Sequence, residues 1–320
     1  MRDSAQPSAM TATLTVVICT HDRAPLLRRA LASLNAATRP ADADVDILVV
    51  PNACRDGTEA MLAEYQREQA ARGWLPLRFE AEPRQGKSYA LNRAIGLLKA
   101  DLVAHVDDDH RVDAAYLTAI AEAAALCPDF DIFCGRILPD WDGTEPSWVH
   151  DTGPYRIYPL PVPRWEFGPD PAPLPAGTAL PGGGNLFLRP RIFARVGDFS
   201  PEFGPRGHDL GGGEDTEWLR RAMAMGARIR YAPSVVQYHY VDGARLTLPY
   251  LLRKAFSRSS SVVRLDGGSS GGLRGYMFRK LATYAAQALF SAGGNARRFY
   301  LVRTAAALGE IDGALRHRRG

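Results

Sequence analysis

Three consecutive carboxylates, Asp107, Asp108 and Asp109, close the apolar run Leu102-Val103-Ala104-His105-Val106. Such a run reads as a buried strand, so the acids sit where the chain leaves a sheet. Three adjacent negative charges repel one another and are tolerated best beside a cation. In an extended chain, side chains at i and i+2 share a face, so Asp107 and Asp109 can converge while Asp108 points elsewhere. Carboxylate oxygens suit Mg2+ or Mn2+, and Mg2+ commonly reaches a protein through one or two carboxylates plus substrate phosphates. A solvated acidic loop at a strand end is the competing reading.

Other segments carry chemistry of their own. Glu214 and Asp215 follow a glycine-rich stretch, residues 204–213, and open a helix running to about Met225. The helix dipole favours acids there, and acids cap helices routinely. Gly86-Lys87-Ser88 invites a P-loop reading, but a P-loop needs a glycine at position 81, which is Ala81. Lys87 is then a phosphate-reaching lysine or a surface lysine at a helix start. Gly182-Gly183-Gly184-Asn185 would let backbone come close to a ligand, or forms an ordinary turn.

The elements that must position these residues alternate along the chain. Apolar runs at 14–19, 45–50, 77–80 and 102–106 read as strands, and helices are expected over 25–37, 58–72, 86–100 and from 113 to before Pro128. Thr20-His21-Asp22 offers caps to the first helix, and Asp56-Gly57-Thr58 to the second. This alternation means βαβ units and a parallel sheet. Between Pro154 and Pro181, nine prolines interleave with Tyr155, Tyr158, Trp165 and Phe167, which rules out a helix or a central strand. That excursion is a lid or an exposed linker. Strands are expected at 186–188, 228–231 and 234–240. The remainder is helical and basic, broken by a flexible Gly/Ser linker at 266–272.

Composition bounds the class. At roughly 100–200 residues per domain, 320 residues make one large domain or two small ones. The 46% apolar and 23% charged fractions are those of a globular protein. Cys19, Cys54, Cys127 and Cys134 show no zinc-ligand spacing, and Cys19 and Cys134 read as buried thiols of a reducing cytoplasm. The first ten residues lack the apolar core of a signal peptide, and no run approaches the ~18–20 residues of a membrane span. The net charge of +4 hides an asymmetry: residues 241–320 hold fourteen Lys or Arg against four Asp or Glu, a balance of +10 that leaves −6 for the rest. A basic tail of this kind suits phosphates, anionic lipid headgroups or nucleic acid.

The order of these motifs resembles that of the family 2 glycosyltransferases. The matching segments are Val16-Val17-Ile18-Cys19-Thr20-His21-Asp22-Arg23, Val49-Val50-Pro51-Asn52-Ala53-Cys54-Arg55-Asp56-Gly57-Thr58, Gly86-Lys87-Ser88-Tyr89-Ala90-Leu91-Asn92-Arg93-Ala94 and Val106-Asp107-Asp108-Asp109. Gly184-Asn185-Leu186-Phe187-Leu188-Arg189-Pro190, Val196-Gly197-Asp198-Phe199 and Gly212-Gly213-Glu214-Asp215-Thr216-Glu217-Trp218 follow in order, so that the set spans roughly residues 13–260. The resemblance implies a GT-A fold, a Rossmann-like, mostly parallel sheet flanked by helices, here with a basic helical C-terminal extension. It implies a metal-dependent, inverting transfer of sugar from a nucleotide-diphosphate donor to a hydroxyl on a lipid-linked saccharide, a cell-surface glycan or a small metabolite.

On that resemblance Asp107, Asp108 and Asp109 form a DxD-type motif, with Asp109 on a Mn2+ or Mg2+ ion, Asp107 on the metal or nucleotide side, and His239 completing the metal shell. Asp215 is the expected general base and Glu214 its fallback. Thr20, Asp22, Arg23, Asn52, Lys87, Asp107, Asp108, Gly184 and Asn185 would contact the donor, and Arg253 and Arg258 would clamp its diphosphate. Relatives usually carry an acid where this chain has Pro51, so UDP, dTDP and GDP donors all stay open. A Gln-x-x-Arg-Trp motif and membrane helices are missing, which argues for adding one sugar per encounter. The expected organisation is a disordered tail over 1–12, a nucleotide-sugar-binding half over 13–135, an acceptor half over 136–245 with its proline-rich loop at 151–181, and the basic extension over 246–320. That extension could touch an anionic membrane surface, and no nucleic-acid partner is expected. The alternatives are a sugar nucleotidyltransferase, disfavoured by Thr20-His21-Asp22-Arg23 in place of a Gly-rich basic loop, and a degenerate nucleotide-sugar-binding protein.

Overall fold

The apolar runs lie side by side in a nine-stranded sheet of the computed structural model, which describes residues 12–205, 213–265 and 275–317. Strands β1 (Ala12–Thr20), β2 (Ala43–Pro51), β3 (Leu77–Phe79) and β4 (Leu102–His105) pair in parallel in the order β3-β2-β1-β4. Helices α1 (Ala24–Ala36), α2 (Thr58–Glu68) and α3 (Lys87–Leu97) join them. Alternate residues of β1 serve opposite faces. Val16 and Ile18 pack with Leu27 and Leu31 of α1 and Leu62 of α2, whereas Val17 packs with Ala90 and Leu91 of α3. Because both faces are covered, the strand is apolar throughout. Each fully buried aliphatic side chain contributes roughly 1.5–3 kcal/mol.

Past β4 come β5 (His110–Val112), α4 (Tyr116–Leu126), β6 (Ile132–Asp140), β7 (Ala172–Pro173), β8 (Leu186–Leu188), α5 (Arg191–Val196), α6 (Glu214–Ala224) and β9 (Ile229–Tyr240). Strand β8 runs antiparallel between β4 and β6, β9 runs parallel to β6, and β5 and β7 lie antiparallel on β9. Most paired residues remain in parallel ladders, so the architecture is the expected α/β one, a mostly parallel sheet flanked by helices.

Several local expectations change. The two strands expected at 228–231 and 234–240 form the single strand β9, whose residues 232–235 bulge past Gly135 where the ladder shifts register. A Cβ on Gly135 would lie 2.1 Å from the Val235 carbonyl oxygen, so the bulge needs glycine opposite. Asp22 does not cap α1: its φ is 50°, and its carboxylate accepts the N–H groups of Arg55 (2.6 Å) and Asp56 (3.1 Å) instead. Helix α2 stops at Glu68, short of residue 72. The proline-rich excursion makes no helix or central strand. Trp165 bridges Ile137 through two backbone bonds, and Ala172–Pro173 is an edge strand. Residues 1–11 of the expected tail lie outside the described residues, and Ala12 already belongs to β1.

The chain divides into two compact units. The first runs through Asp140 and resumes over Arg164–Tyr240, so it holds the whole sheet. The second combines Trp141–Pro163 with the chain from Val241 onward, carrying α7 (Leu248–Leu265), α8 (Gly275–Phe290) and α9 (Gly294–His317). Its own core gathers Trp148, Val149, Val162, Leu246 and Leu251. Helices α7 and α9 pack closely because α9 has Gly309 and Gly313 where Cβ atoms would lie 2.2 and 2.5 Å from carbonyl oxygens of α7. The linker expected at 266–272 lies outside the described residues. Among the described residues, no helix is long and apolar enough to cross a membrane.

Candidate active site

The carboxyl ends of β1, β2 and β4 meet in the first unit, the place where open α/β sheets bind ligands. After β4 the chain turns at once, the His110 N–H donating to the Asp107 carbonyl (3.0 Å), and the turn divides the three acids. Asp107 and Asp109 each bring an oxygen 3.9 Å from His110 Nε2. Asp108 turns the other way, accepting from Thr20 Oγ1 (2.7 Å) and Arg23 Nη1 (3.1 Å). Burial and the neighbouring Asp109 push the Asp108 carboxyl up to about 6, against the pull of Arg23 and Thr20. Arg23 also reaches Asp109 at 3.1 Å, so one guanidinium spans two of the acids.

Strand β5 sets His110 directly opposite His239 of β9. One atom each from Asp109, His110 and His239 lies within 4.8 Å of the other two, and His239 Nε2 stands 3.6 Å from Asp109 Oδ2. Hydrogen bonding decides which nitrogens face inward. The Gln237 amide nitrogen donates to the His105 carbonyl (3.0 Å), so its oxygen is what meets His110 Nδ1 at 2.6 Å. His110 Nδ1 must then carry the proton, and His239 Nδ1 must do likewise to reach the Tyr240 carbonyl at 2.6 Å. Both Nε2 lone pairs are left for a cation. Burial, against the pull of Asp109, brings His239 below the ordinary imidazole value, the direction that favours the neutral form a metal ligand needs. One carboxylate and two imidazoles so oriented fit Mn2+, and Mg2+ less closely, because Mg2+ prefers oxygen. Sequence reasoning expected Asp107, Asp109 and His239 here. It missed His110, whose only local signal is its place directly after the acids.

Opposite this group, α6 delivers Glu214 and Asp215. Its dock is the Val196-Gly197-Asp198-Phe199 segment. Trp218 stacks on Phe199 and donates to the Gly197 carbonyl (2.9 Å), while Arg221 donates to the carbonyls of Val196 (2.6 Å) and Asp198 (2.9 Å). Asp215 Oδ2 accepts the Gly183 N–H at 2.7 Å, whereas Oδ1 is buried without a partner. Burial pushes Asp215 up to about 6, with Lys87 opposing and Glu214 and Asp107 adding to the rise. Lys87 Nζ sits between the two acidic groups, 3.0 Å from Asp107 and 3.5 Å from Glu214. Burial opposes its charge, but Asp107, Asp215 and Glu214 outweigh that and raise it well above the usual lysine value. Burial likewise raises Asp107, but Lys87 beside it wins and holds it well below the usual carboxylate range.

Gly183 and Gly184 thread the gap. A Cβ on Gly183 would lie 2.1 Å from Asp215 Oδ1, and one on Gly184 would lie 2.3 Å from Asp107 Oδ2. Asn185 next to them is only 2% exposed, yet neither its amide nitrogen nor its oxygen has a partner. Glu214, 3% exposed, leaves Oε2 equally unpartnered. Orphaned buried polar atoms cost about 1–3 kcal/mol each, and Asn185, Glu214 and Asp215 together leave four of them. They are the groups a polyhydroxylated ligand would satisfy.

The nucleoside-side residues fall on loops around the same strand ends. Asn52 is fully spent, accepting the Gly86 N–H (2.8 Å) and donating to the carbonyls of Arg84 (2.7 Å) and Glu82 (3.2 Å). It positions the loop before α3. The Cys19 thiol beside Lys87 is pushed up to about 12 by burial and is not a nucleophile at neutral pH. Arg253 and Arg258, expected to clamp the diphosphate, lie on α7 of the second unit.

Known proteins match this chain in the same terms. The model of "Glycosyl transferase family 2" matches residues 15–178. The succinoglycan biosynthesis protein ExoM of Rhizobium meliloti (strain 1021) is 23% identical over 257 residues, covering 80% of this chain and 76% of ExoM. Among solved structures, a mannosyltransferase from Pyrobaculum calidifontis in complex with GDP-Man and Mn2+ superposes with a TM-score of 0.54 at 17% identity, covering 95% of this chain and 86% of the other. S. aureus TarS residues 1–349 with UDP does so with a TM-score of 0.55 at 15% identity, covering 96% and 92%. These two likenesses speak for the shared GT-A fold. With the family model spanning more than half of its residues, the chain belongs to glycosyl transferase family 2 and is a glycosyltransferase.

Proposed function

We propose that this glycosyltransferase moves a sugar from a nucleotide-diphosphate donor to an acceptor hydroxyl in one inverting step, with Asp215 as the base. The observation that carries this is the half-satisfied Asp215 carboxylate, held by the Gly183 N–H on one oxygen and left bare on the other. The acceptor hydroxyl gives its proton to Asp215 Oδ1 as its oxygen bonds to the anomeric carbon. The bond from that carbon to the diphosphate oxygen breaks, its electron pair leaves with the nucleoside diphosphate, and the configuration inverts. Lys87 and Arg23 supply positive charge beside the departing phosphates. Asp109, His110 and His239 would hold Mn2+, which when bound stabilises negative charge on the diphosphate.

The Mn2+ complex of the Pyrobaculum structure supports the metal, and the GDP-Man and UDP complexes support a nucleotide donor. ExoM, named for succinoglycan biosynthesis, supports a glycan acceptor, free or lipid-linked, extended by one sugar per encounter. Asp215→Asn is expected to leave nucleoside-diphosphate affinity unchanged by calorimetry and to lower kcat by about 10²–10⁴-fold. Parallel loss of affinity and turnover would make Asp215 structural and sink the assignment.

A further inference from the structure

The second unit contains a cavity of about 350 Å³ lined by the 156–161 segment, α7 and α9. Its lining includes four cations, Arg156, Lys254, Arg258 and Arg303, and no acid. None of the four makes an ion pair among the described residues. Lys254 and Arg258 sit four apart on α7, where like charges repel and a bound anion would relieve the repulsion, while Arg156 and Arg303 lie over the rings of Tyr158 and Phe299. Between the cations the walls are apolar, with Leu160, Leu251, Val302 and Ala306 among them. A purely ionic ligand would gain nothing from those walls. A ligand with a phosphate and an attached hydrocarbon would use both.

Exposed apolar side chains point to the source of that ligand. Phe299 of the lining packs edge-on against Tyr155, which with residues 291–296 forms the surface around the turn from α8 to α9. The two residues entering that turn, Leu289 and Phe290, are 70% and 80% exposed, and Tyr158 on the cavity wall is 77% exposed. Aromatic and aliphatic groups beside arginines that lack a carboxylate partner among the described residues make the amphipathic surface that lies in a membrane interface. The whole unit is basic, with fifteen Lys or Arg against seven Asp or Glu, while the first unit carries the opposite sign.

We propose that this cavity is a docking site for the phosphate headgroup of an anionic phospholipid, so that the second unit holds the protein on a membrane surface. Arg258, a candidate diphosphate clamp in the sequence, is one of the cations that line this cavity. The proposal is independent of the sugar-transfer reading. The test is sedimentation of the full chain with phosphatidylglycerol vesicles and with phosphatidylcholine vesicles. The wild type should bind the first only, and less as salt rises. Lys254→Ala/Arg258→Ala/Arg303→Ala should bind on the order of a hundredfold more weakly. A charge-matched first-unit control, Arg67→Ala/Lys99→Ala/Arg220→Ala, should bind as the wild type does. Single Arg258→Gln and Arg303→Gln variants, which keep the side-chain stems, should each lose about fivefold and cover the case of a misfolded triple variant.

Equal binding to both vesicles, full binding by the cavity variants, or equal loss in the control would overturn the site. Inorganic phosphate that stabilises the protein through the same residues, with no vesicle binding, would make it a phosphate site and overturn the lipid.

Discussion

Gln237 decides which nitrogen His110 offers, and so whether two imidazoles or one can face Asp109. Gln237→Leu removes the acceptor that holds the His110 Nδ1 proton. Such outer contacts typically govern metal affinity by about 10–100-fold. Mn2+ affinity read by calorimetry should fall by that factor with the fold retained, and an unchanged affinity would take His110 out of the ligand set. Asp215 gives a second expectation. Burial raises it to about 6, and as the proposed base it would work only when deprotonated, so kcat/KM should fall as the pH drops through about 6. A rate that stays flat from neutrality down to about 5 would contradict its role as base. The acids, Lys87 and Asn185 stand out in the sequence because each sits in a local run of unusual composition, whereas His239 is expected only from the family resemblance. His110 is expected from neither. Its place beside Asp109 arises from standing opposite His239 across two strands, a register no local pattern records.

At the scale of elements, the site is a set of strand ends tied by a few side chains. Asn52 at the end of β2 holds three backbone groups of the loop that leads into α3 and Lys87. Asn52→Ala orphans them and should cost about 1–3 kcal/mol, seen in urea as a lower midpoint at unchanged slope. A change within a few tenths would mean that water replaces the side chain. The parallel strands were readable because burial on both faces makes them continuously apolar. Strand β5 is three residues long and begins beside the acids, too short to show a period. Strand β9 looked like two strands because Pro233 and its neighbours break the alternation, and only the Gly135 contact shows that the chain continues through a bulge. The Val196-Gly197-Asp198-Phe199 motif was visible as a motif, but its use as the seat for Trp218 and Arg221 became clear only in three dimensions.

The whole molecule carries two units with separate cores, and ligands should act on them separately. A nucleoside diphosphate with Mn2+ at about 100 times its Kd adds about 2.7 kcal/mol to the unit that binds it. For a unit of the first one's size, this is about 5–10 °C in Tm. Calorimetric scans should show that shift in one transition while a second stays in place, and equal movement of both would refute independent units. Gly183 and Gly184, finally, bear on how such a molecule can change over generations. Even one methyl group would collide with the Asp215 carboxylate at Gly183 or with the Asp107 carboxylate at Gly184, so any larger residue there must displace an acid of the site. A change of sugar preference should therefore come through the flanking side chains, with this ribbon of bare backbone kept.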